Sequence, residues 1–422
     1  MQYIFTLMPR TAASALLLAT TLWLPVNAAQ AAPLDWSGEL SSRLDYRLPE
    51  AERGWAQQKL KLKFSLGQQL DSGASWTAVG RGYIDPYYRQ ARFAGTDAHE
   101  LSDDLWLHEL YWRDGSDSWS WTLGKQQVTW GEADYFRVLD VVNPQDLSDY
   151  LLSYVEEFNQ ARHSLWMANI EWSGERWTQQ WLWIPDFAAT TLPADGSDFA
   201  STGIHAFQQL RDQADVREPG HALRDHSFGW RGSYSGDAID VSLYGYYGWN
   251  PDPLLQLDSQ GLHERYARRQ VIGSSFSRAI DAWVVRGDAG LYLNEAVADS
   301  DGVLHLGDLA KALLALDYNG ASYSLSLQAL WGDGLSKPDW QSKQRMLSLY
   351  GEKRLHNDDL VLSNLAIVDL AGHSGLNEVQ ASYRLGGDVK VAVGSDLFWG
   401  DQALFSGYRN QNRVYIKGSY YW

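Results

Sequence analysis

The sequence predicts an all-β protein, a transmembrane antiparallel β-barrel of about eighteen strands, with sixteen to twenty compatible with the pattern. Three observations lead there. The chain ends on Val414-Tyr-Ile-Lys-Gly-Ser-Tyr-Tyr-Trp422. Here Val414, Ile416, Gly418, Tyr420 and Trp422 share one face of an extended strand, and Tyr415, Lys417, Ser419 and Tyr421 the other. An aromatic ring at such a strand end suits a membrane–water interface. Next, the chain holds 21 Trp, 23 Tyr and 12 Phe. Yet nothing after its first 31 residues approaches the roughly 20 apolar residues of a membrane helix. Finally, period-2 segments are separated by connections that alternate between short and long.

The elements follow in chain order. Residues 1–31 carry one basic residue, Arg10, an apolar run from Ala12 to Leu24, Pro25, and the A-x-A pattern Ala29-Gln30-Ala31. This is the pattern of a secretory signal peptide, leaving 32–422 as the mature barrel. Arg10 stands alone, so a twin-arginine signal is not expected, and the lack of Cys excludes a lipoprotein anchor and a disulfide framework. Strands are expected at 35–48, 55–69, 75–88, 104–113, 119–128, 164–173, 176–184, 223–234, 237–249 and 267–280. The series continues at 283–294, 306–319, 321–332, 343–355, 359–370, 375–386, 388–399 and 412–422. Every second connection is minimal, from Asp71–Ala74 through Asp114–Ser118 and Gly174–Glu175 to Gly387. The others include the long segments 129–163, 185–222, 250–266, 295–305 and 400–411. Short turns at one end and long loops at the other are the membrane-barrel arrangement, and an even strand number agrees with it.

Clean alternation assigns faces. Leu60, Leu62, Phe64 and Leu66 point to lipid, leaving Lys59, Lys61, Lys63 and Ser65 in the lumen. In the first strand Leu40, Leu44, Tyr46 and Leu48 point out, while Glu39, Arg43, Asp45 and Arg47 point in. Arg81, Tyr83, Asp85, Arg286, Asp288, Asn294, Arg384, Lys390 and Lys417 are also expected inside. A charge facing lipid at the midplane costs roughly 2–4 kcal/mol, which makes the choice of face strong wherever alternation is clean. Glu109 and Lys125 lie in strands that do not alternate cleanly and are left unplaced.

A barrel of this size encloses more space than side chains fill, so it holds water or an inserted segment. Segment 129–163 is the candidate. Asp146 is a good helix N-cap, and Leu147, Tyr150, Leu151, Tyr154, Val155 and Phe158 form one apolar helical face, predicting a helix over about 147–158. Such a stripe needs a packing partner, either inside the pore or over its mouth. Glu132, Asp134, Arg137, Asp140 and Asp146 then become candidate constriction charges that set size and charge selectivity. The alternative is that they serve loop architecture only.

The stretch Leu123-Gly-Lys-Gln-Gln-Val-Thr-Trp-Gly131, with Asp134 and Asp140-Val-Val-Asn-Pro-Gln-Asp146, resembles a signature of uncharacterised bacterial outer-membrane, porin-like barrels. Its form is a Gly-Lys/Arg-Gln stretch, a Trp-Gly pair and a later Asn-Pro-x-Asp. More loosely, the chain is similar to alginate-export-type barrels. The aromatic C-terminal strand, through Tyr420 and Trp422, resembles the assembly signal of outer-membrane barrels, which implies recognition by barrel-assembly machinery.

Function classes narrow accordingly. No G-x-S-x-G elbow, Walker loop or H-E-x-x-H occurs, no carboxylate pair stands out, and no enzyme activity, cofactor or metal is expected. His221 and His226 share a loop without metal-site spacing, and Asp299-Ser-Asp-Gly302 is only a weak calcium candidate. A formal net charge of −17 argues against nucleic acid. Two readings remain in front. One is a passive channel for small polar or charged solutes, with inward Lys and Arg facing loop carboxylates. The other is an accessory barrel of an export system, for a polysaccharide or another polymer. The acidic loop 185–222, with Asp186, Asp195, Asp198, Asp212 and Asp215, is expected to be solvated and leaves a surface-receptor role open. Outer-membrane lipid and lipopolysaccharide are the expected surroundings, and a homo-oligomer is compatible with them.

Overall fold

Strong period-2 patterning produces the architecture expected from it. The computed structural model describes residues 33–49, 53–90, 101–149, 161–298, 304–335, 343–400 and 405–422. Its main sheet has eighteen antiparallel strands and closes on itself. Asp35–Arg47 pairs with Gly54–Gln69 on one side and with the last strand, Arg413–Tyr421, on the other. Closure leaves no unpaired edge, as a strand sheet in lipid requires. Each expected strand is present, with ends differing by up to four residues. The minimal turns cluster at the end that also carries Asp35 and Tyr421, and the long connections leave the other end.

Alternation sorts the side chains as the sequence requires. Leu40, Leu44, Leu48, Leu60 and Leu62 are exposed on the outer wall, whereas Arg43, Asp45, Arg47 and Lys59 are buried inside. Trp36, Trp55, Trp112, Trp119, Trp177, Trp283 and Trp399 add exposed rings to the outer wall. Two register shifts re-aim side chains, one in the strand of Glu109 and one beside Asn294. A register shift lies between Val79 and Gly80, so that Glu109 faces Val79 and Leu107 faces Gly80, with His108 buried between them. A second shift separates Tyr292 from Glu295. Asn294 sits there in the left-handed region at φ 63 and is exposed, while Tyr292 and Glu295 are buried. The expectation that Asn294 points inward is therefore corrected: the bulge re-aims its neighbour instead. Lys125 lies on the same side of its strand as the exposed Trp121 and Leu123, and its Nζ donates to the Leu107 carbonyl at 3.0 Å.

The apolar core lies within the barrel. Val128, Trp130, Phe136, Val138, Leu139, Val141 and Val142 pack against the inner wall, where Tyr244, Val271, Tyr292, Leu309, Leu313 and Leu330 are buried. Strand Leu304–Asn319 accordingly carries Leu314 and Leu316 outward and Leu309 and Leu313 inward. An element apolar on both faces is one covered on both faces. Outside the barrel sheet, Leu254–Asp258, Gly261–Arg265 and Asp215–Arg217 form a small sheet. Helix Thr202–Arg211 is capped by Ser201, whose Oγ accepts from the Ile204 N–H.

Candidate pore constriction

The segment after strand Trp119–Gln126 folds into the lumen and is fastened along its length. At its base the Val128 N–H donates to Asn143 Oδ1 at 2.8 Å, and Asn143 Nδ2 donates to the His163 carbonyl at 2.7 Å. Trp130 is 2% exposed. Its Nε1 donates to Gln180 Oε1 at 2.8 Å, and its ring lies 5.5 Å from that of Tyr244. Gly131 turns the chain at φ 85, and a Cβ there would sit 2.8 Å from Asp288 Oδ2. Only glycine combines that conformation with that approach. The next N–H, of Glu132, donates to both Asp288 oxygens at 2.9 and 3.1 Å.

The segment then runs across the opposite wall. Asp134 pairs with Arg286 and accepts from Gln328 Nε2 at 2.7 Å. Arg286 also pairs with Asp317 at 2.6 Å. The Tyr135 ring lies 6.2 Å from that of Tyr350, Tyr292 donates to the Val138 carbonyl, and Arg269 donates to the Val141 carbonyl at 3.0 Å. Arg137 and Arg162 both reach Asp140, at 3.3 and 2.7 Å. The chain then crosses to the first strands. There Asp149 pairs with Lys59 Nζ at 2.5 Å and accepts from Gln57 Nε2 at 3.0 Å. Of the expected helix over 147–158, Leu147 is not helical, residues 148–149 form a turn, and the remainder lies outside the described residues, as does 299–302.

Between this loop and the basic wall is a narrow cavity of about 80 Å³. Lys59, Lys61, Lys63 and Arg81 line one side, with Glu39, Tyr83 and Trp106 beside them, and Asp146 and Asp149 line the other. A smaller cavity of about 20 Å³ adjoins it, where Arg43 and Lys417 meet Lys59, Lys61 and Asp149. Arg43 also donates to Asp45 at 2.7 Å and to Asp396 at 2.6 Å. Burial pushes the Asp149 carboxyl up, but the ammonium groups of Lys59 and Lys61 outweigh it and hold the group at about 2. Burial raises Glu132 and lowers His163.

The residues singled out from sequence thus fall into two sets. Lys59, Lys61, Lys63, Arg81 and Asp146 line the main cavity, and Arg43 lines its neighbour. Asp134, Arg137, Asp140 and Arg286 tie the loop to the wall or to itself, and Glu132 does so through its backbone. Asp149, Asp288 and Asp317 were not singled out as site residues; their roles depend on register across the lumen, which no local pattern encodes.

A second long connection also crosses the barrel. Asp198 lies 3.8 Å from Arg47 and 3.6 Å from Arg413, and its N–H donates to Tyr88 Oη at 3.2 Å. Phe199 is 1% exposed, beneath the Arg413 guanidinium at 4.7 Å. The expectation of a fully solvated acidic loop is corrected here. Asp212 and Asp215 are exposed, but Asp198 is buried because two arginines of the first and last strands neutralise it.

A family model described as "Protein of unknown function (DUF1302)" matches residues 72–363, more than half of the chain. The chain belongs to the DUF1302 family. This DUF1302 chain matches no curated protein sequence. It is similar in fold to Pseudomonas aeruginosa OccK8 (OprE), with a TM-score of 0.54 at 9% identity, covering 92% of this chain and 98% of that one. Acinetobacter baumannii OccAB2 gives 0.54 at 10% identity over 92% and 98% of the two chains. OccAB4 of the same species gives 0.53 at 9% identity over 94% and 100%. At these identities the likeness shows the fold alone, a closed antiparallel β-barrel.

Proposed function

We propose that this chain is an outer-membrane channel through which small polar or charged solutes diffuse, with no catalytic step, cofactor or nucleic-acid partner. The observation that carries the reading is the opposition of Lys59, Lys61, Lys63 and Arg81 to Asp146 and Asp149 across one narrow cavity. Charges of opposite sign on facing walls create a transverse field, which orients a dipolar solute while the gap width limits its size. Residues 1–31 act as a cleaved export signal in this reading. The strand ending on Tyr420 and Trp422 engages the assembly machinery, and lipid with lipopolysaccharide surrounds the finished barrel. The stretch from Gly124 to Asp146 is the proposed family signature. Supporting that, Trp130, Gly131 and Asn143 each hold the inserted loop in place.

The test is single-channel conductance of the refolded protein in planar bilayers, with reversal potentials under a salt gradient. Wild type is compared with a variant lacking residues 132–160. Steady wild-type conductance that rises on deletion supports the channel. A silent wild type that conducts only after deletion transfers the case to a plugged barrel of an export system. Two folded but silent proteins overturn the pore.

A further inference from the structure

We infer that the outer wall carries a binding groove for one acyl chain of lipopolysaccharide, with a phosphate of the same lipid held by Arg224 and Arg268. The inference rests on the membrane placement proposed above, and it assigns a lipid site to a particular face.

The groove has a volume of about 610 Å³ and is almost wholly apolar. That volume falls among ordinary ligand sites, roughly 300–1,000 Å³. Its floor is Gly245, which in the antiparallel register lies between Trp230 on one neighbouring strand and Ile272 on the other. A Cβ on Gly245 would meet nothing within 4 Å, so the missing side chain leaves open space on the lipid side. Trp181, Trp183, Phe228 and Tyr247 complete the walls. All four are exposed, as are Trp230 and Ile272, the last at 61%. Inserting a flexible hydrocarbon chain covers this apolar surface, and a slot between rigid rings selects an extended chain over bulk lipid.

What sits above the groove decides the headgroup. Tyr247 and Trp183 form the row nearest the long-loop end, since Trp249 and Ile184 terminate their strands there. Over that row Arg268 lies 5.0 Å from the Tyr247 ring and 4.0 Å from that of Trp249. Arg268 donates to the carbonyls of His226 and Arg224, which places the Arg224 backbone beside it. The Arg224 side chain is 87% exposed, with Asp225 Oδ2 at 3.9 Å its facing carboxylate. One guanidinium group over the rim of an apolar slot, with a second, exposed arginine whose backbone is anchored beside it, suits a lipid carrying phosphate, which arginine binds through paired N–H donors. Long loops mark the outward leaflet, where the phosphorylated acylated lipid is lipopolysaccharide.

The test is native mass spectrometry of the full chain in detergent, titrated with bis-phosphorylated lipid A and with its dephosphorylated form. Wild type binds one lipid A. Gly245→Leu projects into the groove from a position where a Cβ meets nothing within 4 Å, and weakens both forms by about tenfold or more. Arg224→Gln and Arg268→Gln weaken the phosphorylated form and leave the other unchanged. Equal binding by wild type and Gly245→Leu overturns the site, as does a dimer that Gly245→Leu dissociates, because a second copy then fills the groove. Bilayer conductance of the same samples keeps the two readings separate. Conducting variants with unaltered lipid binding sink the groove alone, and altered lipid binding without conductance sinks the channel alone.

Discussion

Asp149 receives two opposing influences. Desolvation disfavours its charge, and the nearby ammonium groups of Lys59 and Lys61 favour it more strongly, so its folded value lies near 2 against an ordinary 3.8. A carboxyl depressed on folding stabilises the loop above the unfolded value and loses that contribution as pH falls through the folded one. The difference corresponds to about 2 kcal/mol at neutral pH. Acidification from pH 4 towards pH 2 is therefore expected to detach the loop end from Lys59 and Gln57. A reversible rise in conductance over that window checks it, and Asp149→Asn should abolish the step. The same substitution removes a negative charge from the gap. Its reversal potential at neutral pH should move towards greater anion preference, and a shift towards cations would contradict the transverse field. Lys59 keeps a partner in that variant, because the Tyr83 ring lies 4.5 Å from its Nζ.

The inserted loop shows how a segment can be specified by very few positions. Gly131 occupies φ 85, and its missing Cβ admits Asp288 at 2.8 Å and Leu139 at 3.0 Å. Gly131→Ala combines backbone strain with a clash, worth about 1–3 kcal/mol against the inserted state. Gly131 takes no part in the strand ladder, so the expected outcome is selective. Limited proteolysis should cut within 132–149 in the variant and not in wild type, while heat-resistant barrel structure persists. Loss of the barrel itself would show that the loop is part of the folding core. This division also explains what the sequence disclosed. Strands such as Gly54–Gln69 were legible because Lys59, Lys61 and Lys63 alternate with Leu60, Leu62 and Phe64, and an apolar outer wall on one side with a polar lumen on the other enforces that period. Leu304–Asn319 was legible as a strand, but its inward Leu309 and Leu313 were not recognised as a seat for the loop. Period alone cannot say that both faces are covered. Helix Thr202–Arg211 was missed within a stretch read as solvated loop, although Ile204, Phe207 and Leu210 at three-residue spacing behind the N-cap Ser201 mark one helical face. The pairing of Asp134 with Arg286 joins residues 152 apart in sequence, which lies beyond any local pattern.

Across the barrel as a whole, two connections cross the lumen at different depths, and in the proposed channel both would stand in the way of a solute. One is the loop ending at Asp149, which lies against the basic wall of strands Asp35–Arg47, Gly54–Gln69 and Ser75–Ile84. The other reaches the long-loop end of the first and last strands, where Asp198 meets Arg47 and Arg413 and Phe199 fills the space beneath. Obstructions along one path act as resistances in series, so the larger governs the current. Both arginines keep other partners without the Asp198 charge, Arg413 at Asp45 and Arg47 at Tyr87, so its removal weakens the latch by less than the about 3–5 kcal/mol of a buried pair left uncompensated. Asp198→Asn leaves Arg413 bonded to Asp45 at 3.0 Å, so the wall stays intact while the latch loosens. The single variant and the 132–160 deletion should each raise conductance modestly. Their combination should raise it by more than the sum of the two, because only then are both resistances gone. Single-channel recording of the four proteins decides this, and simple additivity would mean two parallel paths instead. Salt supplies an independent check. A buried latch is weakly screened, whereas the exposed side of the cavity is not, so raising ionic strength should erode ion selectivity while leaving the Asp198→Asn effect in place.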